Sequence, residues 1–168
     1  MASLWIDLRD IKFQVFEVLK IGETLLGKGR YKDFDVDTCM MVLDQGAKFA
    51  ESELAPNYPD EVHRKPVEAT WKDGKVTTPE AYKRLYKLYC ENGYMATADQ
   101  PEVGGQGFPA VIAASLANIF LACNQAFLMY PGLTHGAARL MEDFFKHPLR
   151  DIVLEKMYTG EWAGTMCL

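Results

Sequence analysis

The sequence predicts an all-α fold with one short strand at its C-terminal end. Three observations predict it. Apolar residues recur every three or four positions from Val36 to Leu54 and again from Tyr82 to Tyr89. A stretch without a single charge, FPAVIAASLANIFLACNQAFLMY, runs from Phe108 to Tyr130. The last residues, Thr165 to Leu168, form a run that reads as strand, after Gly160 has stopped the helical pattern.

Taken in order, residues 10–20 (DIKFQVFEVLK) set Ile11, Val15, Phe16 and Leu19 on one helical face. Residues 21–34 form a link containing Gly and Lys. Val36, Cys39, Met40, Leu43, Ala47, Ala50 and Leu54 make the next segment an amphipathic helix. Asp35 or Asp37 suits its N-cap, and Pro56 and Pro59 end it. Residues 60–78 are polar and irregular, with a tight turn at Asp73-Gly74. Thr78-Pro79 reads as N-cap and first residue of a helix reaching about Asn92. That helix buries Tyr82, Leu85 and Tyr89, and Gly93 ends it. DQPEVGGQG (Asp99 to Gly107) is a loop. The long apolar helix follows and is expected to break at Pro131-Gly132. Two more helices are expected, Leu133 to Phe145 and Leu149 to Tyr158, separated by His147-Pro148.

The chain has 168 residues, enough for one domain with a small appendage. Its net charge is -5 and it has no basic block, which excludes a nucleic-acid footprint. Its four cysteines form no CxxC pair and match no zinc spacing, so a reducing, cytoplasmic setting is expected. The N-terminus lacks the apolar region of a signal peptide. The apolar helix is long enough to cross a bilayer. It carries Asn118, Asn124 and Gln125, though, and no flanking Lys/Arg cluster. It is therefore read as the core helix of a bundle, its amides paired inside.

Several short motifs fall away. GETLLGKG (Gly22 to Gly29) has Gly29 where a phosphate loop needs Ser or Thr. DFDVD has Thr38 where a calcium loop needs Gly. His63, His135 and His147 lack metal-ligand spacing. His135 reads as a structural histidine at a helix start, and GGQG (Gly104 to Gly107) as a tight helix-entry turn. No nucleophile elbow and no acid–base carboxylate pair stands out.

DQPEVGGQGFP (Asp99 to Pro109), MYPGLTHGA (Met129 to Ala137) and GEWAGTMCL (Gly160 to Leu168), in that order and spacing, resemble the acyl-CoA dehydrogenase family. The likeness is greatest to its 3-methylmercaptopropionyl-CoA dehydrogenase-like branch, which KFAESELAP and DGKVTTPEAYKRLY also resemble. The resemblance implies an up-and-down helical bundle, the N-terminal domain of an FAD-dependent enzyme that dehydrogenates an acyl-CoA thioester. It implies an N-terminal extension over 1–34, the helical domain over 35–160, and the start of a middle β-domain over 161–168. The chain is thus expected to be a fragment that is inactive and free of FAD alone. It implies Met166 and Leu168 beside the flavin, and Tyr130, Leu133 and Thr134 along the acyl tail. No residue is assigned as the catalytic base, and no metal is expected. The implied partners are the acyl-CoA, an electron-transfer flavoprotein or other acceptor, and further copies in a homo-oligomer. The long helix departs from the branch, with Leu116, Ala117 and Asn118 where a glutamate is usual. The alternative is a stand-alone helical interaction module that keeps the fold without catalysis.

Overall fold

The computed structural model describes residues 6–58, 69–165 and 167. Its α-helices are α1 (Leu8–Lys12), α2 (Ile21–Thr24), α3 (Val36–Phe49), α4 (Glu80–Glu91), α5 (Ala110–Phe144) and α6 (Arg150–Tyr158). Two π-wound turns extend helices, Phe13–Val18 after α1 and Ala50–Leu54 after α3. Asp35 caps α3, its carboxylate accepting from Thr38 N–H at 2.7 Å.

The main core forms where α3, α4 and α5 meet. Cys39, Leu43 and Leu54 from the α3 segment, Tyr82, Leu85 and Tyr89 from α4, and Ile112, Ile119, Phe120, Cys123 and Phe127 from α5 are all buried there. Each large apolar side chain so buried contributes roughly 1.5–3 kcal/mol. Phe120 is the aromatic hub, with Tyr94, Tyr89 and Phe49 rings at centroid distances of 4.8, 5.7 and 5.9 Å. Gly46 lets α3 lie close on α5: a Cβ there would stand 2.2 Å from Leu116 Cδ2. A smaller cluster, Ala96, Ala138, Leu154, Met157 and Tyr158, holds α6 to the second half of α5.

The mostly helical expectation holds, with instructive local differences. The two expected helices flanking Pro131-Gly132 are one element, α5, with Pro131 inside it. Packing of this half on α4 and α6 overrides the local breaker. The interruption sits earlier, at Asn124 (φ -159°, ψ 81°). Of the three amides, Asn124 is fully buried, whereas Asn118 and Gln125 are exposed. α5 is long and apolar enough to cross a membrane, but one face of it is the bundle core.

The expected irregular stretch before α4 contains an antiparallel hairpin, β1 (Thr70–Lys72) and β2 (Lys75–Thr77), with Trp71 opposite Val76. Asp73 and Gly74 both have positive φ (51° and 76°), the turn whose twist suits a two-residue hairpin loop. α4 starts one residue later than expected, with Pro79 as its N-cap in extended backbone. Of the strand expected over Thr165 to Leu168, Met166 and Leu168 lie outside the described residues, and Thr165 and Cys167 are not in a strand. A strand needs a neighbour for its ladder, and the hairpin pairs only with itself among the described residues.

Candidate functional site

α4, the second half of α5 and the segment after α6 enclose a cavity of about 700 Å3. Thr78, Tyr82, Lys83 and Tyr86 line it from α4 and its lead-in. Met129, Tyr130, Leu133 and Thr134 line it from α5, and Ala163, Gly164 and Thr165 from the tail. Helical geometry explains the set: 82 and 86, 129 and 133, and 130 and 134 are each four apart, one helical turn along the same face.

Two of the lining hydroxyls, those of Tyr82 and Thr134, are tied up in hydrogen bonds. Tyr82 donates its O–H to Asn124 Oδ1 at 3.2 Å, and its ring stands edge-on to Tyr130 at 5.6 Å. Burial pushes the Tyr82 phenol above its ordinary range. Thr134 is buried and donates to Tyr130 C=O at 3.3 Å. Its Oγ1 also accepts from Gly164 N–H at 3.2 Å, which pins the tail to α5. Tyr86 differs. Its hydroxyl is buried without a hydrogen-bond partner among the described residues, and burial pushes the phenol up to about 12. At the rim, Lys83 pairs with Glu80 at 2.7 Å.

Gly164 is required by the close approach of the tail. A Cβ there would meet Met157 Cε at 2.6 Å and Ala137 Cβ at 2.9 Å. Ala163 and Thr165 make no backbone hydrogen bond to a described residue.

On the other side of α5, a second cavity of about 310 Å3 is lined by Met95, Thr97, Asp99, Phe120, Leu128 and His135, among others. His135 lies inside α5, not at a helix start. Its Nε2 meets the buried carboxylate of Asp99 at 2.8 Å, and Arg139 approaches the same carboxylate at 3.6 Å. Arg139 also pairs with Glu142 at 2.9 Å, and Tyr158 donates to Glu142 at 2.6 Å. The Asp99–Gly107 loop is thereby clamped to α5 and α6. It enters α5 through a tight turn in which Gly107 N–H bonds Asp99 C=O and Phe108 N–H bonds Thr97 C=O. No group of His, Cys, Asp and Glu among the described residues is arranged to hold a metal.

The structure therefore brings Tyr130, Leu133 and Thr134 to one cavity. Met166 and Leu168 lie outside the described residues. Of the opposite wall, Tyr82 was legible only as core periodicity, and Tyr86 was not singled out. The role of Asn124 had a single sequence signal, a polar residue in a charge-free helix.

No protein-family model matches the chain. It is 28% identical over 160 residues to 3-methylmercaptopropionyl-CoA dehydrogenase of Ruegeria pomeroyi, covering 95% of this chain and 26% of that enzyme. It is 32% identical over 165 residues to a butyryl-CoA dehydrogenase of Syntrophomonas wolfei, covering 96% of this chain and 26% of the relative. A broad-specificity linear acyl-CoA dehydrogenase of Mycobacterium tuberculosis is 31% identical over 75% of this chain and 20% of its own length. The chain thus spans about a quarter of the length of these curated relatives. Along nearly its whole length, this chain is similar to a part of several acyl-CoA dehydrogenases.

Proposed function

We propose that this chain forms the N-terminal helical domain of an FAD-dependent acyl-CoA dehydrogenase and supplies one wall of its acyl pocket. The observation that carries the reading is the shared cavity of Tyr130, Leu133, Thr134 and the Ala163–Thr165 tail. Its lining presents rings, methyl groups and alkyl chains, which suits an acyl tail.

In the whole protein the reaction is α,β-dehydrogenation of an acyl-CoA thioester. When bound, FAD accepts the hydride that leaves the β-carbon. The tail fits a flavin edge: the backbone groups of Ala163 and Thr165 are unpaired among the described residues and stand at the cavity. Met166 and Leu168, next in sequence, would meet the ring. This chain's part is to hold and orient the acyl group, so that the α- and β-carbons face a base and a flavin supplied elsewhere in the protein. The proposed partners are acyl-CoA, an electron-transfer flavoprotein or other acceptor, and further copies of the protein, in a reducing cytoplasm. Exposed Leu121, Leu140, Phe144, Leu149, Ile152 and Trp162 supply apolar surface for further domains or copies. A stand-alone interaction module would use that surface alone and leave the cavity without a ligand.

Calorimetric titration of the chain with CoA, butyryl-CoA and octanoyl-CoA tests the reading. Affinity is expected to rise with acyl length and to fall about tenfold for octanoyl-CoA in Leu133→Trp, which fills the cavity. Equal affinity for CoA and both thioesters would favour the module.

A further inference from the structure

Asn124 is the one fully buried amide of α5, and it sits where the helix leaves helical geometry. Its side chain is bonded on three sides. Oδ1 accepts from Phe127 N–H at 2.9 Å and from Tyr82 O–H at 3.2 Å, and Nδ2 donates to Leu54 C=O at 3.1 Å. The bond to Phe127, three residues on, is the bond an N-cap makes. Asn124 thus restarts α5, and everything beyond it in the helix takes its direction from that restart. Met129, Tyr130, Leu133 and Thr134 all lie beyond it.

The second bond acts on the opposite wall. The tether to Asn124 keeps the Tyr82 hydroxyl out of the cavity and leaves its ring edge-on to both Phe127 and Tyr130, each at 5.6 Å. The third bond ties this junction to Leu54, at the end of the π-wound turn after α3. One side chain therefore sets the relation between both walls of the cavity and the rest of the bundle. A core that needed only burial at this position would hold an apolar residue. An amide here must satisfy its polar atoms, and it does so by fixing three segments at once.

We propose that Asn124 is the positioning residue of the acyl site: it sets the spacing of the Tyr82 and Tyr130 walls, and through that spacing the preference for an acyl tail. The proposal rests on the acyl-pocket reading above. It assigns Asn124 no contact with the acyl group.

The test compares wild type, Asn124→Ala, Asn124→Ser and Tyr82→Phe by two readouts. One is the ratio of octanoyl-CoA to CoA affinity in titration; the other is amide hydrogen exchange across 125–134. Asn124→Ala is expected to lose the acyl preference about tenfold, leave CoA affinity unchanged, and speed exchange at Phe127. Asn124→Ser, short but able to cap, should restore slow exchange at Phe127 without restoring the acyl preference. Tyr82→Phe, which keeps the cap and the ring, should lose about threefold of the preference, and it carries the test if Asn124→Ala does not fold. Full acyl preference in Asn124→Ala with faster exchange, or in Tyr82→Phe, would overturn the positioning role and leave the acyl reading standing. No acyl preference in wild type would overturn the acyl reading and this proposal with it.

Discussion

At the residue scale, the account turns on a few side chains with unusual surroundings. Burial pushes the Cys39 and Cys123 thiols up to about 11, and both are fully buried, whereas Cys167 is exposed. The thiolate is the reactive form. At pH 8 a thiol reagent should therefore modify Cys167 first, with Cys39 and Cys123 reacting only on unfolding; counting labelled cysteines by mass spectrometry over time checks this. Gly164→Val should destabilise the chain by about 1–3 kcal/mol, measured by denaturant unfolding, because the new side chain collides with Met157 and Ala137 and lifts the tail from Thr134. Individual residues were also the hardest scale to read from sequence. Tyr130, Leu133 and Thr134 were named through resemblance, and helical spacing alone could not say which face they occupy. Asn124 was visible as a polar residue needing partners, but Leu54 and Tyr82 lie 70 and 42 positions away. No local pattern encodes such a contact.

At the element scale, helix existence was legible and helix boundaries were less so. The amphipathic periodicity of α3 and α4 matches their buried faces, since Cys39, Leu43 and Ala47, and Tyr82, Leu85 and Tyr89, are the residues that pack. The breaker rule misplaced the interruption of α5. Proline removes one donor, but packing on α4 and α6 holds that half, while the buried amide at 124 takes over a backbone bond. The hairpin was half-read: Asp73-Gly74 announced the turn, but the flanking three-residue strands are too short and exposed to show alternation. The cap of α3 gives an element-scale prediction. Backbone N–H bonding from Thr38 holds the Asp35 carboxyl below its ordinary range. A depressed folded pKa means the cap stabilises above about pH 4, the ordinary Asp value, and loses that contribution as pH falls through the folded pKa. Asp35→Ala should lower Tm by a few degrees at pH 7, and the difference from wild type should shrink toward pH 2 in thermal unfolding.

At the scale of the whole molecule, the bundle is closed on one side and open on the other. α3, α4 and α5 share a dry aromatic core, while Met129, Leu140, Phe144 and Trp162 remain exposed. Burial raises the phenols of Tyr82, Tyr86, Tyr89, Tyr94 and Tyr158. A raised folded pKa means these groups stabilise the fold fully below about pH 10, the ordinary Tyr value, and lose that contribution as pH rises beyond it. For Tyr86 the window runs from pH 10 to about 12. Ultraviolet titration should show this buried set ionising above the ordinary tyrosine range, in a cooperative step that coincides with loss of helical circular dichroism. The central claim is that the space between α4, the second half of α5 and the tail takes an acyl chain. Its most direct test is an NMR titration of the chain with octanoyl-CoA, using CoA as reference. The account predicts acyl-dependent shifts confined to the cavity lining: Tyr82, Tyr86, Met129, Tyr130, Leu133, Thr134 and Gly164. Identical spectra with the two ligands, or acyl-dependent shifts only on the outer face at Leu140, Phe144 and Ile152, would contradict it.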